Sequence, residues 1–106
     1  MNTYPVSSKT EIPKLAGAIR YGTSTGEPVK LQAVGAGAVN QAIKAVAVAR
    51  QMTEEGGADL FFTPSFQNIT LDGESRTMIE IKVEARIGKK EEELQSALKQ
   101  YLNNTV

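Results

Sequence analysis

LQAVGAGAVNQAIKAVAVAR, residues 31–50, joins a strand to a helix through two glycines. The run from Val29 to Val34 reads as a buried strand, short and apolar at alternate positions. From about Ala38 to Thr53 the period lengthens to that of a helix. Val39, Ala42, Ile43, Val46 and Ala49 share one stripe, and Ala45, Val48 and Met52 widen it. Only Asn40, Lys44 and Gln51 make a narrow polar strip. One sheet face cannot cover so much apolar circumference, so a homodimer or higher assembly is expected. The turn at Gly35 and Gly37 places unpaired N–H groups at the helix start, a position that favours an anion.

Working outward, the chain reads as one small α/β domain. Tyr4 to Ser8 suits a short strand despite Pro5. Thr10 stands where an N-cap would, ahead of a helix with Ile12, Leu15, Ala16 and Ile19 on one face. The segment GTSTG, residues 22–26, is a loop, and Gly56-Gly57 ends the second helix. Leu60 to Phe62 opens a third strand, bent at Pro64. Phe66 is out of period-two phase with Ile69 and Leu71, which predicts a bulge near Gln67-Asn68. Asp72-Gly73 is a hairpin signal.

The alternation of Ile79, Ile81, Val83, Ala85 and Ile87 with Met78, Glu80, Lys82, Glu84 and Arg86 marks a strand with one buried and one wet face. The order is β-α-β-α-β-β, predicted to fold as a two-layer α/β sandwich. One four-stranded sheet would carry both main helices on the same face. After Gly88 an amphipathic tail helix is expected, with Leu94, Leu98, Tyr101 and Leu102 on one side. Too short to be stable alone, it should dock on its own sheet or on a neighbouring subunit. Lys89-Lys90-Glu91-Glu92-Glu93 reads as the solvated start of that helix. The division is therefore a domain over residues 1–88 and an extension over residues 89–106.

Composition narrows the function. The chain has 12 basic and 12 acidic residues and no Cys or His. Residues 1–50 carry six Lys/Arg against two Asp/Glu, and residues 51–106 carry six against ten, so the halves are +4 and −4. Balanced charge argues against a strongly cationic chromatin protein, yet one basic face is still available. Without His or Cys the usual base and nucleophile pairs are missing, so no enzyme is expected, and no metal or other cofactor. The start MNTYPVSSKT lacks a signal-peptide pattern. No apolar run reaches the roughly 18–20 residues of a membrane span. A cytoplasmic protein is expected.

The turn Gly35-Ala36-Gly37-Ala38-Val39-Asn40 departs from the dinucleotide fingerprint, with Asn at the third Gly. Asp59 is near the required distance but precedes its strand. The turn is then either a tight connection needing small residues or a binding turn. Arg50 reads as a complement to the dipole at the helix end.

Taken together, V-S-S-K, A-V-G-A-G-A-V-N-Q-A-I-K-A-V-A-V-A-R, D-L-F-F-T-P-S-F and L-D-G-E-S-R-T resemble the stage V sporulation protein S family over about residues 5–87. That family is similar in fold to Alba, a dimeric chromatin and RNA-binding protein. The resemblance implies a β-α-β-α-β-β fold and a nucleic-acid-binding regulator of sporulation or development, for DNA or RNA. It also implies a binding surface at Lys9, at Gly35, Gly37, Asn40 and Lys44, and at Arg76 on the hairpin. Each of these has a plain alternative: Lys9 and Lys44 as solvated charges, Arg76 paired with Glu74 or Asp72. The segment after Lys89 and the loop GTSTGEP depart from the family pattern. The first bears on oligomerisation, the second on the length of the first helix. Zero net charge and the acidic second half favour the rival expectation, a protein-interaction module without nucleic acid.

Overall fold

The computed structural model describes residues 2–87 and 98–104. The elements run β1 (Asn2–Val6), α1 (Ile12–Thr23), β2 (Val29–Ala33), α2 (Ala36–Glu54), β3 (Ala58–Leu71) and β4 (Glu74–Ile87). They build one four-stranded sheet in the order β1-β2-β4-β3. β1 lies parallel to β2, and β4 lies antiparallel to both of its neighbours. Both helices pack on the same side. A single buried cluster joins Leu15 and Ile19 of α1, Ala42, Ala45 and Ala49 of α2, and Val29, Leu31, Ile81 and Val83 of the sheet. Leu31 sits opposite Ile81 and Val29 opposite Val83, so the two central strands supply the floor of the core.

Several local expectations change. β1 begins at Asn2 and ends at Val6, two residues earlier than the pattern predicted. Thr10 does not cap α1. The N-cap is Glu11, with no side-chain cap bond. Thr10 Oγ1 instead accepts the Ser7 N–H at 2.8 Å, closing a turn in the β1–α1 loop. Helix α1 continues through Gly22 and Thr23 of the GTSTGEP segment, so that segment does not cut it short. Its last turn is secured by Thr23, whose hydroxyl donates to the Ile19 carbonyl at 2.8 Å.

Helix α2 begins at Ala36, two residues earlier than expected, which puts Gly37 inside its first turn. Its buried side is Ala38, Ala42, Ala45, Val46 and Ala49. The predicted stripe is therefore rotated. Alanines face the core because α1 and the sheet approach closely there, and Ile43 is left 37% exposed with Val39 half-buried.

The predicted bulge is absent. β3 pairs with β4 without a break from Ala58↔Ile87 to Leu71↔Glu74. Asp72 and Gly73, at φ 51° and 79°, form the two-residue turn. The phase change has another cause. Leu60, Phe62 and Phe66 share the helix-side face, whereas Ile69 and Leu71 share the other. β2 pairs with β4 only over residues 79–83, so beyond Phe66 the hairpin projects past the body as a two-stranded arm. With no helix below, its apolar residues use the opposite face.

That opposite face is not uniformly wet. Met78 is 6% exposed and Glu80 9%. Glu80 takes an ion pair from Lys30 at 3.4 Å and a hydrogen bond from Gln67 at 3.1 Å, so its burial is satisfied. Lys82–Glu84 and Arg86–Asp59, both at 3.6 Å, continue a ladder of alternating charge.

The predicted tail helix is described over residues 98–103, where Leu98, Tyr101 and Leu102 are 56%, 66% and 62% exposed. Its own sheet therefore does not cover it. Leu94 and the run from Lys89 to Glu93 lie outside the described residues.

Candidate nucleic-acid interface

Two turns meet at one end of the sheet. In the β1–α1 loop, Ser7 Oγ accepts the Lys9 N–H at 3.1 Å, and the Ser7 carbonyl accepts the Thr10 N–H at 3.1 Å. These bonds fold V-S-S-K into a compact bend with Ser7, Ser8 and Lys9 exposed. In the β2–α2 turn, Gly35 takes φ 92° and ψ 156° as N-cap, a conformation that strains any residue with a Cβ. The first turn of α2 has neither a capping side chain nor an acidic residue, so its N–H groups are open to an external anion.

The two turns are locked together. Gln41 Nε2 donates to the Thr10 carbonyl at 2.9 Å. A Cβ on Gly37 would stand 3.0 Å from Ser8 Cβ. Gly37 is thus glycine because the Ser8 loop presses on the helix start. Gly37→Asp is expected to displace V-S-S-K and to put a carboxylate at the anion position. Its charge also complements the dipole of α2, worth about 0.3–1 kcal/mol, which offsets part of the crowding. Thermal stability should fall modestly, by about 1 kcal/mol, while an anion offered to the turn binds at least several-fold more weakly. A melting scan and a binding titration on the same sample check both halves.

Not every expected residue converges. Gly35 and Gly37 line a cleft of about 610 Å³ with Ser7, Ser8, Ile69 and Met78. Arg76 is opposite Ile69 in the hairpin register, which puts it on the strand beside that cleft. Its guanidinium pairs with Glu74 at 3.6 Å, so part of its charge is already answered. Lys9 belongs to the adjoining loop. Asn40 lies elsewhere, in a separate groove with Gly35, Val39, Ile43, Phe66 and Ile79. Lys44 is exposed and seven residues past Gly37, about 10 Å along the helix. Neither Lys9 nor Lys44 forms an ion pair among the described residues.

The surface the sequence did not reveal is apolar. Phe66 is 79% exposed, Phe62 36% and Ile43 37%. All three are on the helix side of the sheet, between α2 and the base of the arm. The signal was present in numbering: Phe62 and Phe66 are in phase with Leu60. The supposed bulge obscured it.

Arg50 also acts differently. It lies outside the last turn of α2 and bonds Asp59 at 2.6 Å, tying the helix to the start of β3. Arg86 reaches the same carboxylate at 3.6 Å and lies 4.9 Å above the Phe61 ring. The hydrogen bond from Arg50 is the main reason the Asp59 carboxyl is held below its ordinary value. Partial burial opposes the shift, and the positive charges of Arg50 and Arg86 add to it. A depressed carboxylate pKa stabilises the fold fully above the unfolded value, about 3.9, and is lost as pH falls through the folded value. Asp59→Asn should therefore flatten the decline of melting temperature below about pH 4. Melts between neutral pH and strong acid check this.

A model of the stage V sporulation protein S family matches residues 2–86. Among solved structures, Alba from Thermoplasma volcanium is similar in fold, with a TM-score of 0.53. It is 13% identical, and the match covers 77% of this chain and 95% of that one. No helix among the described residues is long and apolar enough to cross a membrane.

Proposed function

This chain belongs to the stage V sporulation protein S family, and from its fold and its paired turns we propose that it is a homodimeric nucleic-acid-binding regulator acting in sporulation or developmental control. The observation that carries this reading is the locked pair of turns. Lys9, which has no ion pair among the described residues, and the uncapped start of α2 belong to the two locked turns, with Arg76 on the neighbouring arm. Cationic side chains and helix N–H groups are what a phosphate backbone engages, with little regard to base sequence. The role is binding and not catalysis, in keeping with a chain that has no His and no Cys.

Dimerisation is part of the proposal because three cations per chain give modest affinity alone. A two-fold pair doubles the surface and makes the second contact intramolecular. The patch of Ile43, Phe62 and Phe66 is the surface on which a second copy would sit. A cytoplasmic location goes with this role.

Replacing Lys9, Lys44 and Arg76 with Ala should weaken binding to DNA and RNA alike. It should also flatten the plot of log K against log salt by up to about 0.9 for each phosphate no longer engaged on duplex DNA. An unchanged slope places the nucleic acid elsewhere. If wild type binds neither polymer at low salt, a protein-interaction role replaces this one. The paired charges across the open sheet face are the observation in favour of that second reading.

A further inference from the structure

The cleft beside the paired turns combines a polar edge with apolar walls. Its polar edge is Ser7, Ser8 and Gln32, all uncharged, and no Asp or Glu lines it. Its other walls are apolar: Pro5 and Val34 on the sheet side, and Ile69, Leu71 and Met78 on the arm. Met78 lines the cleft and is buried although it is on the face away from the helices. At about 610 Å³ the space falls within the range of small-molecule sites, roughly 300–1,000 Å³.

We propose that this cleft receives one unpaired nucleobase, so that the strand bound at α2 is single-stranded at that point. The inference rests on the nucleic-acid reading above and adds the state of the strand. A base is a flat, uncharged ring with apolar faces and polar edges. Ile69, Leu71 and Met78 can contact a ring face while Ser7, Ser8 and Gln32 meet its edge. Hydroxyls donate and accept, and the Gln amide does both, so any of the bases finds partners. The phosphate next to that base would fall near the uncapped helix start and Lys9. In a duplex the bases are stacked and paired, and turning one out has an unfavourable energy that an unpaired strand avoids. A lining without acid also fits a polyanion passing over the rim.

The test compares a short oligouridylate with an oligomer of the same phosphate number in which the bases are replaced by abasic sites. Wild type should bind the base-bearing strand about fivefold more tightly, the low end of what stacking on an aromatic ring contributes, because the walls here are aliphatic. Equal binding of the two overturns the inference and leaves the nucleic-acid reading standing. Binding of neither at low salt removes both. The double variant Ile69→Ser, Leu71→Ser changes exposed or half-buried positions on the arm, and should lose the preference while keeping the salt slope. A preference that survives it overturns the proposal. Photo-crosslinking wild type to a thiouridine-bearing strand gives a readout independent of folding in the variant. Adducts should map to the β1–α1 loop, β2 or residues 69–78, and adducts confined to α1 or to the C-terminal segment overturn the assignment.

Discussion

An Asp in place of Phe66 is expected to hold the chain as a monomer where wild type forms the proposed homodimer. In one chain Phe66 is 79% exposed and contributes little to its own core. Buried against a second copy, a Phe side chain contributes about 1.5–3 kcal/mol. A two-fold interface counts each substitution twice, so the loss is about 4 kcal/mol, roughly a thousandfold in dissociation constant. A carboxylate placed without a partner in that interface adds to the loss. Ile43→Asp should act in the same direction. Both variants should keep the wild-type far-ultraviolet spectrum, because neither position belongs to the buried cluster. Sedimentation at micromolar concentration decides the matter. A wild-type chain that sediments as a monomer, or a Phe66→Asp chain that still assembles, excludes this interface.

The second large effect concerns stability and sets two glycines of α1 against each other. A Cβ on Gly22 would stand 2.5 Å from Val29 Cγ2 and 3.2 Å from the Asn2 side-chain nitrogen. Val29 is fully buried and β-branched, so it cannot rotate away, and the start of β2 must shift. Overpacking of this kind costs about 1–3 kcal/mol. The better helix propensity of Ala recovers only about 0.5–1 kcal/mol. Gly22→Ala should therefore lose about 1 kcal/mol net, a fall in Tm of about 5 °C. Gly17 has nothing within 4 Å of its would-be Cβ. Gly17→Ala should accordingly gain about 0.5–1 kcal/mol. Melts of the two variants beside wild type check the pair, and a Gly22→Ala chain as stable as Gly17→Ala refutes the packing argument.

Much of the fold was legible because period alone specifies it. The alternation from Ile79 to Ile87 names a central strand, and Asp72-Gly73 names its hairpin. The small-residue run after Gly37 names a helix under tight packing. The errors arose where a neighbour distant in sequence decides the outcome. Thr10 looks like a cap until the Ser7 N–H is seen to claim its hydroxyl. Arg50 looks like a dipole partner until Asp59 arrives from the next strand. The phase change between Phe66 and Ile69 looks like a bulge because periodicity cannot show where the helices stop covering the sheet. For the site, the glycine turn was readable as chemistry, Lys9 entered only through the resemblance, and their locking through Gln41 and Ser8 was not readable. The grouping of Ile43 with Phe62 and Phe66 required the register of β3 on β4.

The strand order β1-β2-β4-β3 has a consequence for the birth of the molecule. β4 is the last of the four strands to leave the ribosome, yet it lies between β2 and β3. Until it emerges, the nascent chain holds a β-α-β half whose β2 has one edge vacant, and a β3 with no neighbour. Ile81 and Val83 complete the floor under Leu31 and Val29, so no earlier length of chain can close the core. Closure of the whole core is then expected only once β4 has emerged. The family match ends at residue 86, one residue short of the end of that last-made strand.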